Sequence, residues 1–144
     1  MKSIIVLNGP NLNLLGNREP EIYGADTLAD IEKLCAKKAV SLNIQVSFFQ
    51  SNIEGELVNE IQKSKNRQDG IILNAGAYTH TSIAIMDALI AAQVPTIEVH
   101  ISNIYHRESF RHVSYISKAS IGQICGFGIY GYSMALDAII QNNL

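Results

Sequence analysis

The sequence has little that would mark a membrane protein, a secreted protein or a nucleic-acid-binding protein. Its 144 residues contain no apolar run that approaches the about 18 residues of a membrane span. Residues 1–7 are too short to supply the apolar region and cleavage site of a signal peptide. Eleven Lys and Arg stand against 13 Asp and Glu, so no basic excess is available to neutralise a phosphate backbone. We therefore expect a cytoplasmic protein that binds neither a membrane nor a nucleic acid.

Cysteine is also scarce. The two cysteines, Cys35 and Cys125, both lie in apolar runs, and the sequence has no CxxC motif and no Cys/His spacing typical of a metal site. We predict that both are reduced thiols in the core, and we expect no bound metal.

What is present is the composition of a globular protein. Apolar residues make up 47% of the chain and charged residues 17%, which excludes a disordered chain. The sequence contains no repeat, low-complexity tract or linker. The length suits one domain with its own core, and we therefore predict a single domain over residues 1–144.

Short apolar runs alternate with amphipathic ones along the chain. The apolar runs predict strands over 3–8, 44–49, 70–75, 96–101 and 120–127, and the amphipathic runs predict helices over 27–43, 55–65, 81–92 and 129–141. Strands that are apolar throughout are typical of parallel sheets covered on both faces. The pattern predicts an α/β, three-layer doubly wound sandwich, with a five-stranded parallel sheet of flavodoxin-like order 2-1-3-4-5. Residues 102–119 have weak periodicity, and we expect a loop with a short helix there.

In such a sheet, ligands bind beyond the carboxyl ends of the strands, near the point where the strand order reverses. Three asparagines, Asn8, Asn11 and Asn13, follow the first strand. They either satisfy their own backbone as Asx turns or face a ligand. Asn74 ends the third strand, and the small residues after it would let a ligand approach the backbone.

Two histidines occupy the same predicted edge. His80 is either a cap or surface residue, or it faces the ligand. His100 is either a buried ring held by a backbone carbonyl or a proton-transfer group at a strand end. Ser102 and Asn103 follow with backbone N–H groups that suit a carboxylate, with the alternative of a helix N-cap. Arg111, taken alone, would be a solvated arginine.

The predicted helix over 81–92 has more apolar residues than one buried face needs. A helix of this kind is usually covered on two sides, which indicates a contact between subunits. Asp87 lies in or beside this contact. The alternative is a surface acid in an exposed ion pair that contributes little.

The stretch "GNREPEIYGAD", residues 16–26, is polar and is broken by Pro and Gly, so it cannot be a core element. It nevertheless carries Arg18 and Tyr23, five residues apart. Two such side chains in an exposed segment indicate a functional role.

Three motifs, "LNGPNLNLLGNREPEIYG", "ILNAGAYTHTSIAIMDAL" and "EVHISNIYHRESFRH", together resemble the type II 3-dehydroquinate dehydratases, and the resemblance runs from about residue 4 to residue 136. It implies a hydro-lyase, or carbon–oxygen lyase, that removes water from 3-dehydroquinate to give 3-dehydroshikimate. This reaction lies on the shikimate route to chorismate and the aromatic amino acids. The family is flavodoxin-like, uses no metal or organic cofactor, and assembles as a homododecamer, a tetramer of trimers.

The resemblance also implies a role for each site residue. Tyr23 is the proton acceptor, His100 the proton donor and Arg18 the group that stabilises the transition state. Asn11 orders a water near the developing enolate, and Asp87 reaches the active site of a neighbouring subunit. The remaining substrate-binding residues are Asn74, His80, Ile101, Ser102 and Arg111.

The required chemistry agrees with these residues. The proton removed is α to a ketone, and a tyrosine can take it only when ionised, although its ordinary pKa is about 10. Lowering that value to about 8 requires roughly 3 kcal/mol of differential stabilisation, which the guanidinium of Arg18 can supply in a dehydrated pocket. We therefore predict a mobile lid over about residues 17–25 that brings Arg18 and Tyr23 onto the substrate and excludes water.

Two other interpretations can be distinguished from this one. A flavodoxin-like binding or signalling module would need a Ser/Thr/Gly-rich phosphate loop, or acids where Asn8 and Asn74 stand. A different carbon–oxygen lyase or an inactive relative is the other interpretation, and the presence of Tyr23, Arg18 and His100 argues against an inactive one. The sequence is equally compatible with biosynthesis and with quinate breakdown, since both use the same dehydration.

Overall fold

A parallel sheet of five strands in the order β2-β1-β3-β4-β5 runs through the molecule. The computed structural model describes residues 1–17 and 19–143, with all of their side chains except those of Tyr23 and Asn143. The strands are β1 Ser3–Asn8, β2 Gln45–Gln50, β3 Gly70–Asn74, β4 Thr96–His100 and β5 Gly122–Cys125. The predicted fold class and strand order are confirmed, and each predicted strand is present with its ends within two residues of the prediction.

Five helices connect and cover the strands in the described part of the chain: α1 Pro20–Tyr23, α2 Leu28–Leu42, α3 Glu54–Ser64, α4 Ile83–Ala92 and α5 Tyr130–Asn143. Thr27 caps α2: its hydroxyl accepts a hydrogen bond from the Asp30 backbone, and the Asp30 carboxylate accepts one from the Thr27 backbone. The single turn α1 lies inside the segment predicted as a lid. The described side chains from Glu19 to Asp26 are all exposed, as expected for a stretch that is not part of the core.

The helices form two layers, one on each face of the sheet. Helices α2 and α5 cover one face and α3 and α4 the other, each over its own apolar cluster. Because side chains alternate along a strand, Ile97 and Val99 of β4 enter the cluster under α2 and α5. Glu98 and His100 therefore point to the opposite face, and both are buried there.

The irregular segment 102–119 folds over that part of β4. The sequence predicted a loop with a short helix here, but the structure has three 3-10 turns, Ile104–His106, Ser109–Arg111 and Ser117–Ala119. The expectation of one short helix is therefore corrected. Ile116 is fully buried in the cluster under α3 and α4 and anchors the segment to the core.

The two cysteines are both free, but they occupy different environments. Cys35 is buried under α2, and burial raises the pKa of its thiol to about 12. Cys125 is only half-buried, so the prediction of a core thiol is wrong for this residue. The reason is that β5 is an edge strand of the sheet. Within the described residues, no helix combines the length and the apolar character that crossing a membrane requires.

Candidate active site

A cleft lies at the carboxyl edge of the sheet, where β1, β3 and β4 end. It encloses about 90 Å³ and is open on one side. Strand pairing places Asn8 beside Asn74, so the loops that follow β1 and β3 leave the sheet together. The residues predicted from the sequence that line the cleft are Asn11, Asn74, His80, His100, Ile101, Ser102 and Arg111.

A buried carboxylate lies against His100. Glu98 Oε2 is 2.5 Å from His100 Nε2, because residues two apart on a strand project from the same face. The hydroxyls of Ser114 and Ser117 also donate to this carboxylate, over 2.8 Å and 2.5 Å. Burial opposes ionisation of Glu98, but the hydrogen bonds from His100, Ser117 and Ser114 outweigh it and hold its pKa below the usual value.

The ionised Glu98 fixes how the His100 ring is used. A carboxylate only accepts hydrogen bonds, so Nε2 of His100 carries a hydrogen and Nδ1 is the ring nitrogen left for a ligand. The sequence-based alternative, a ring held by a backbone carbonyl, is wrong, since the partner is a carboxylate. A general acid at this position would give its proton from Nδ1, and Glu98 would balance the charge of the protonated ring.

His80 stands beside His100 with a different partner. Its Nδ1 lies 2.8 Å from the carbonyl oxygen of Val113, so Nδ1 carries the hydrogen and Nε2 is left as an acceptor. Burial lowers the pKa of His80, against the opposing effect of the Val113 carbonyl, and favours the neutral ring. The two rings are stacked with centroids 6.4 Å apart and planes 19° apart.

Asn74 is oriented by a fully buried tyrosine on α5. Its Nδ2 donates to the Tyr132 hydroxyl over 3.0 Å, and that hydroxyl donates to Asn8 Oδ1 over 2.5 Å. The Asn74 Oδ1 accepts from the Gly76 backbone over 3.1 Å. Burial raises the pKa of Tyr132, so it stays a neutral donor. Asn8 thus holds the Tyr132 hydroxyl that orients Asn74, and it is not an isolated Asx turn.

The loop after β1 is tied to its neighbours by its backbone. Gly9 donates to the Asn74 carbonyl over 2.8 Å, and a Cβ on Gly9 would lie 2.4 Å from the Ala75 oxygen. Asn11 has a left-handed backbone (φ 69°), and its N–H donates to Asn52 Oδ1 over 3.0 Å. The side chain of Asn11 is exposed at the rim of the cleft.

Two arginines give the cleft a positive wall. Arg111 is paired with Glu108 at 3.3 Å and is half-buried, so it is not the solvated side chain that the sequence alone suggested. Arg107 also lines the cleft and donates from Nη1 to Ser102 Oγ over 3.5 Å. A site with two guanidinium groups and two imidazoles suits a small anionic ligand.

Sequence reasoning missed Glu98, Arg107 and Tyr132. An acid two residues before His100 in an apolar strand was a readable signal for Glu98. Arg107 stands in the same motif as Arg111. The contacts of Tyr132 join residues 58 and 124 positions apart, and no local pattern could have revealed them.

Three predicted site residues are not among the described side chains that line the cleft. Arg18 lies outside the described residues, and so does the side chain of Tyr23, whose backbone ends α1. Asp87 is exposed on α4 and does not line the cleft of its own chain. Their roles remain predictions. In the described part of the chain, no group of three or more His, Cys, Asp or Glu side chains is placed to hold a metal ion.

Comparison with known proteins places this chain in a family. The family model described as "Dehydroquinase class II" matches residues 2–140. A protein of Endomicrobium trichonymphae named 3-dehydroquinate dehydratase is 59% identical over 141 residues, which cover 98% of this chain and 99% of the relative. A protein of Dinoroseobacter shibae with the same name is 58% identical over 136 residues, covering 94% and 91% of the two chains.

Comparison with a solved structure gives the same family as the sequence matches. The crystal structure of a type II dehydroquinase from Butyrivibrio crossotus superposes with a TM-score of 0.94 at 45% identity, covering 96% of this chain and 97% of that one. The resemblance seen in the sequence motifs is therefore confirmed, and this chain belongs to the class II dehydroquinase family.

Proposed function

We propose that this protein removes water from 3-dehydroquinate to give 3-dehydroshikimate, on the shikimate route to the aromatic amino acids. Membership of the class II dehydroquinase family supports this function. The observation that carries the proposal is the pair Glu98 and His100, which presents an imidazole nitrogen to a cleft walled by Arg107 and Arg111. An anionic ketone and a leaving hydroxyl would meet complementary groups there.

In the proposed mechanism, Tyr23 takes the proton next to the ketone, and an enolate forms. Arg18 keeps the phenol ionised and stabilises the transition state, and the segment of about residues 17–25 closes over the substrate as a lid. His100 then gives a proton to the departing hydroxyl. Glu98 supports that step because it holds the ring in one orientation and balances its charge.

The other cleft residues would hold the substrate. The neutral His80 ring can accept a hydrogen bond from a substrate hydroxyl through Nε2. Arg111 and the backbone N–H groups of Ile101 and Ser102 are suited to the carboxylate, and the Asn74 amide to a hydroxyl. We assign to Asn11, at the rim, the ordering of a water near the enolate.

We further propose that residues 1–144 form one catalytic domain that assembles as a homododecamer, a tetramer of trimers, in the cytoplasm. Helix α4 supports a contact between subunits, because Ile83 and Ile90 are 52% and 56% exposed beside Asp87. In this assembly Asp87 would reach the cleft of the neighbouring subunit, where it would complete the substrate site.

The test is direct, because the product is a conjugated enone. Purified protein mixed with 3-dehydroquinate should produce a rising ultraviolet absorbance, and a chelator in the buffer should leave the rate unchanged. Product should co-elute with authentic 3-dehydroshikimate. A flat absorbance with well-folded protein would overturn the proposal. A visible flavin band in the spectrum of the purified protein would favour the flavodoxin-like binding module instead.

A further inference from the structure

The five residues from Val113 to Ser117 form hydrogen bonds to His80 and to Glu98, the partner of His100 in the cleft. The Val113 carbonyl accepts from Nδ1 of His80 over 2.8 Å. The Ser114 hydroxyl donates to Glu98 Oε2 and the Ser117 hydroxyl to Glu98 Oε1. Because Glu98 in turn holds His100, one short segment determines the surroundings of both rings.

Each serine oxygen that bonds Glu98 also accepts a hydrogen bond from a second group. The Ser117 backbone N–H donates to Ser114 Oγ over 3.0 Å, and Gln123 Nε2 donates to Ser117 Oγ over 3.1 Å. A hydroxyl has a single hydrogen. An ionised carboxylate has no hydrogen to donate, so the hydroxyl hydrogen lies in the contact with Glu98 while each serine oxygen accepts from an N–H group. The two serines therefore act on Glu98 as donors of fixed direction.

The segment is itself pinned in place. The Tyr115 backbone N–H donates to the Thr79 carbonyl over 3.0 Å, next to His80 in the chain. Ile116 is fully buried in the apolar cluster under α3 and α4. Its neighbours on both sides thus cannot move without disturbing the core. The buried Ile116 and the Tyr115 hydrogen bond thus attach this segment to the core.

We propose that Val113–Ser117 is a brace for the two histidines, and that Ser114 and Ser117 are positioning residues for the dehydration. Their hydroxyls hold the Glu98 carboxylate in the orientation in which Oε2 meets His100 Nε2. Among the described side chains, the other charged or titratable groups that face this pair are His80, Arg107 and Arg111. The effect of the two serines on catalysis rests on the proposed function, whereas their effect on the orientation of the Glu98 carboxylate does not.

The experiment compares the double variant Ser114→Ala/Ser117→Ala with Ser114→Thr/Ser117→Thr, which keeps both hydroxyls. We expect the alanine variant to lose about tenfold in kcat, with KM changed less than about twofold, because the acid is misplaced while substrate contacts persist. The threonine variant should recover most of the loss. Ser41→Ala is the control, since Ser41 is an exposed residue whose hydroxyl donates only to the Lys38 carbonyl of its own helix.

A crystal structure of the alanine variant supplies a second readout that needs no activity. We expect the Glu98 carboxylate to rotate and its contact with His100 to lengthen or to split into two orientations. An unchanged Glu98–His100 contact, or a kcat within twofold of the native enzyme, would overturn the brace. If the double variant fails to fold, the same two measurements on each single alanine variant decide. A native protein without dehydratase activity would refute the proposed function, and the crystal structures would still test the brace.

Discussion

Glu98 Oε2 lies 2.5 Å from His100 Nε2 at the end of β4, and both residues are at least 95% buried. The contact joins an ionised carboxylate to an imidazole at the wall of an open cleft. It accounts for a buried acid in this strand, because residues two positions apart on a strand share a face and Glu98 can therefore bond the His100 ring. The proposed chemistry of the cleft therefore depends on this pair.

Replacing Glu98 by glutamine should reduce kcat by about 10- to 100-fold and change KM little. The amide keeps the shape of the side chain but cannot balance the charge of a protonated His100. Steady-state kinetics measured by enone absorbance would show the effect. Glu60→Gln, which removes only the ion pair with the exposed Lys63, is the matched control and should be inert. A Glu98→Gln enzyme with native kcat would remove Glu98 from the mechanism.

The lowered pKa of His80 should make stability fall in mild acid. The folded state binds the proton more weakly than the unfolded chain, so the stabilisation is complete above the ordinary value of 6.5 and is lost as the pH falls below it. Urea unfolding between pH 7.5 and pH 5.5 should show a smaller loss for His80→Gln than for the native protein. His106→Gln changes an exposed ring and should follow the native curve. Parallel curves for all three proteins would contradict this assignment.

The buried hydroxyl of Tyr132 should matter for stability and for substrate binding. Tyr132→Phe leaves Asn8 and Asn74 without their shared partner, and buried unpaired groups cost about 1–3 kcal/mol. We also expect a higher KM, because the Asn74 amide loses its orientation. Denaturant unfolding and kinetics measure the two effects. Tyr130→Phe, at a 58% exposed position of the same helix, should leave both unchanged.

Two glycines should respond in opposite ways to alanine. A Cβ at Gly9 would lie 2.4 Å from the Ala75 oxygen, so Gly9→Ala must separate the loops that follow β1 and β3. We expect a loss of about 1–3 kcal/mol and impaired catalysis. A Cβ at Gly55 in α3 would meet no atom within 4 Å, and Gly55→Ala should stabilise by about 0.5–1 kcal/mol. Thermal unfolding that ranks the two variants the other way would contradict this packing.

Much of the fold follows from local patterns, because apolar strands and amphipathic helices have distinct periods. The order of the strands and the edge that carries the site follow from the rules of parallel sheets. The irregular segment 102–119 could not be predicted in the same way. Its conformation depends on contacts such as Ser117 with Glu98, and on the burial of Ile116, which only the folded chain brings about.

The residues of the site also fall into those that local sequence patterns predict and those that they do not. Asn74 and His100 end strands and His80 lies in the turn that follows β3, so all three are found from their position relative to the strands. Tyr132 supports Asn74 from 58 residues away, and nothing in the surrounding sequence marks it. Cys125 was wrongly predicted to be a core residue. Its sequence neighbours are apolar, but they form an edge strand that leaves the thiol half-buried.

The central claim of the proposed mechanism is that two different groups transfer the two protons. A base takes the proton next to the ketone, and His100 gives a proton to the leaving hydroxyl. The most direct measurement incubates 3-dehydroquinate in heavy water with the His100→Ala variant and follows both deuterium uptake and enone formation by NMR. We expect deuterium to enter beside the ketone while enone formation nearly stops. Enone formation at the native rate in this variant would contradict the mechanism.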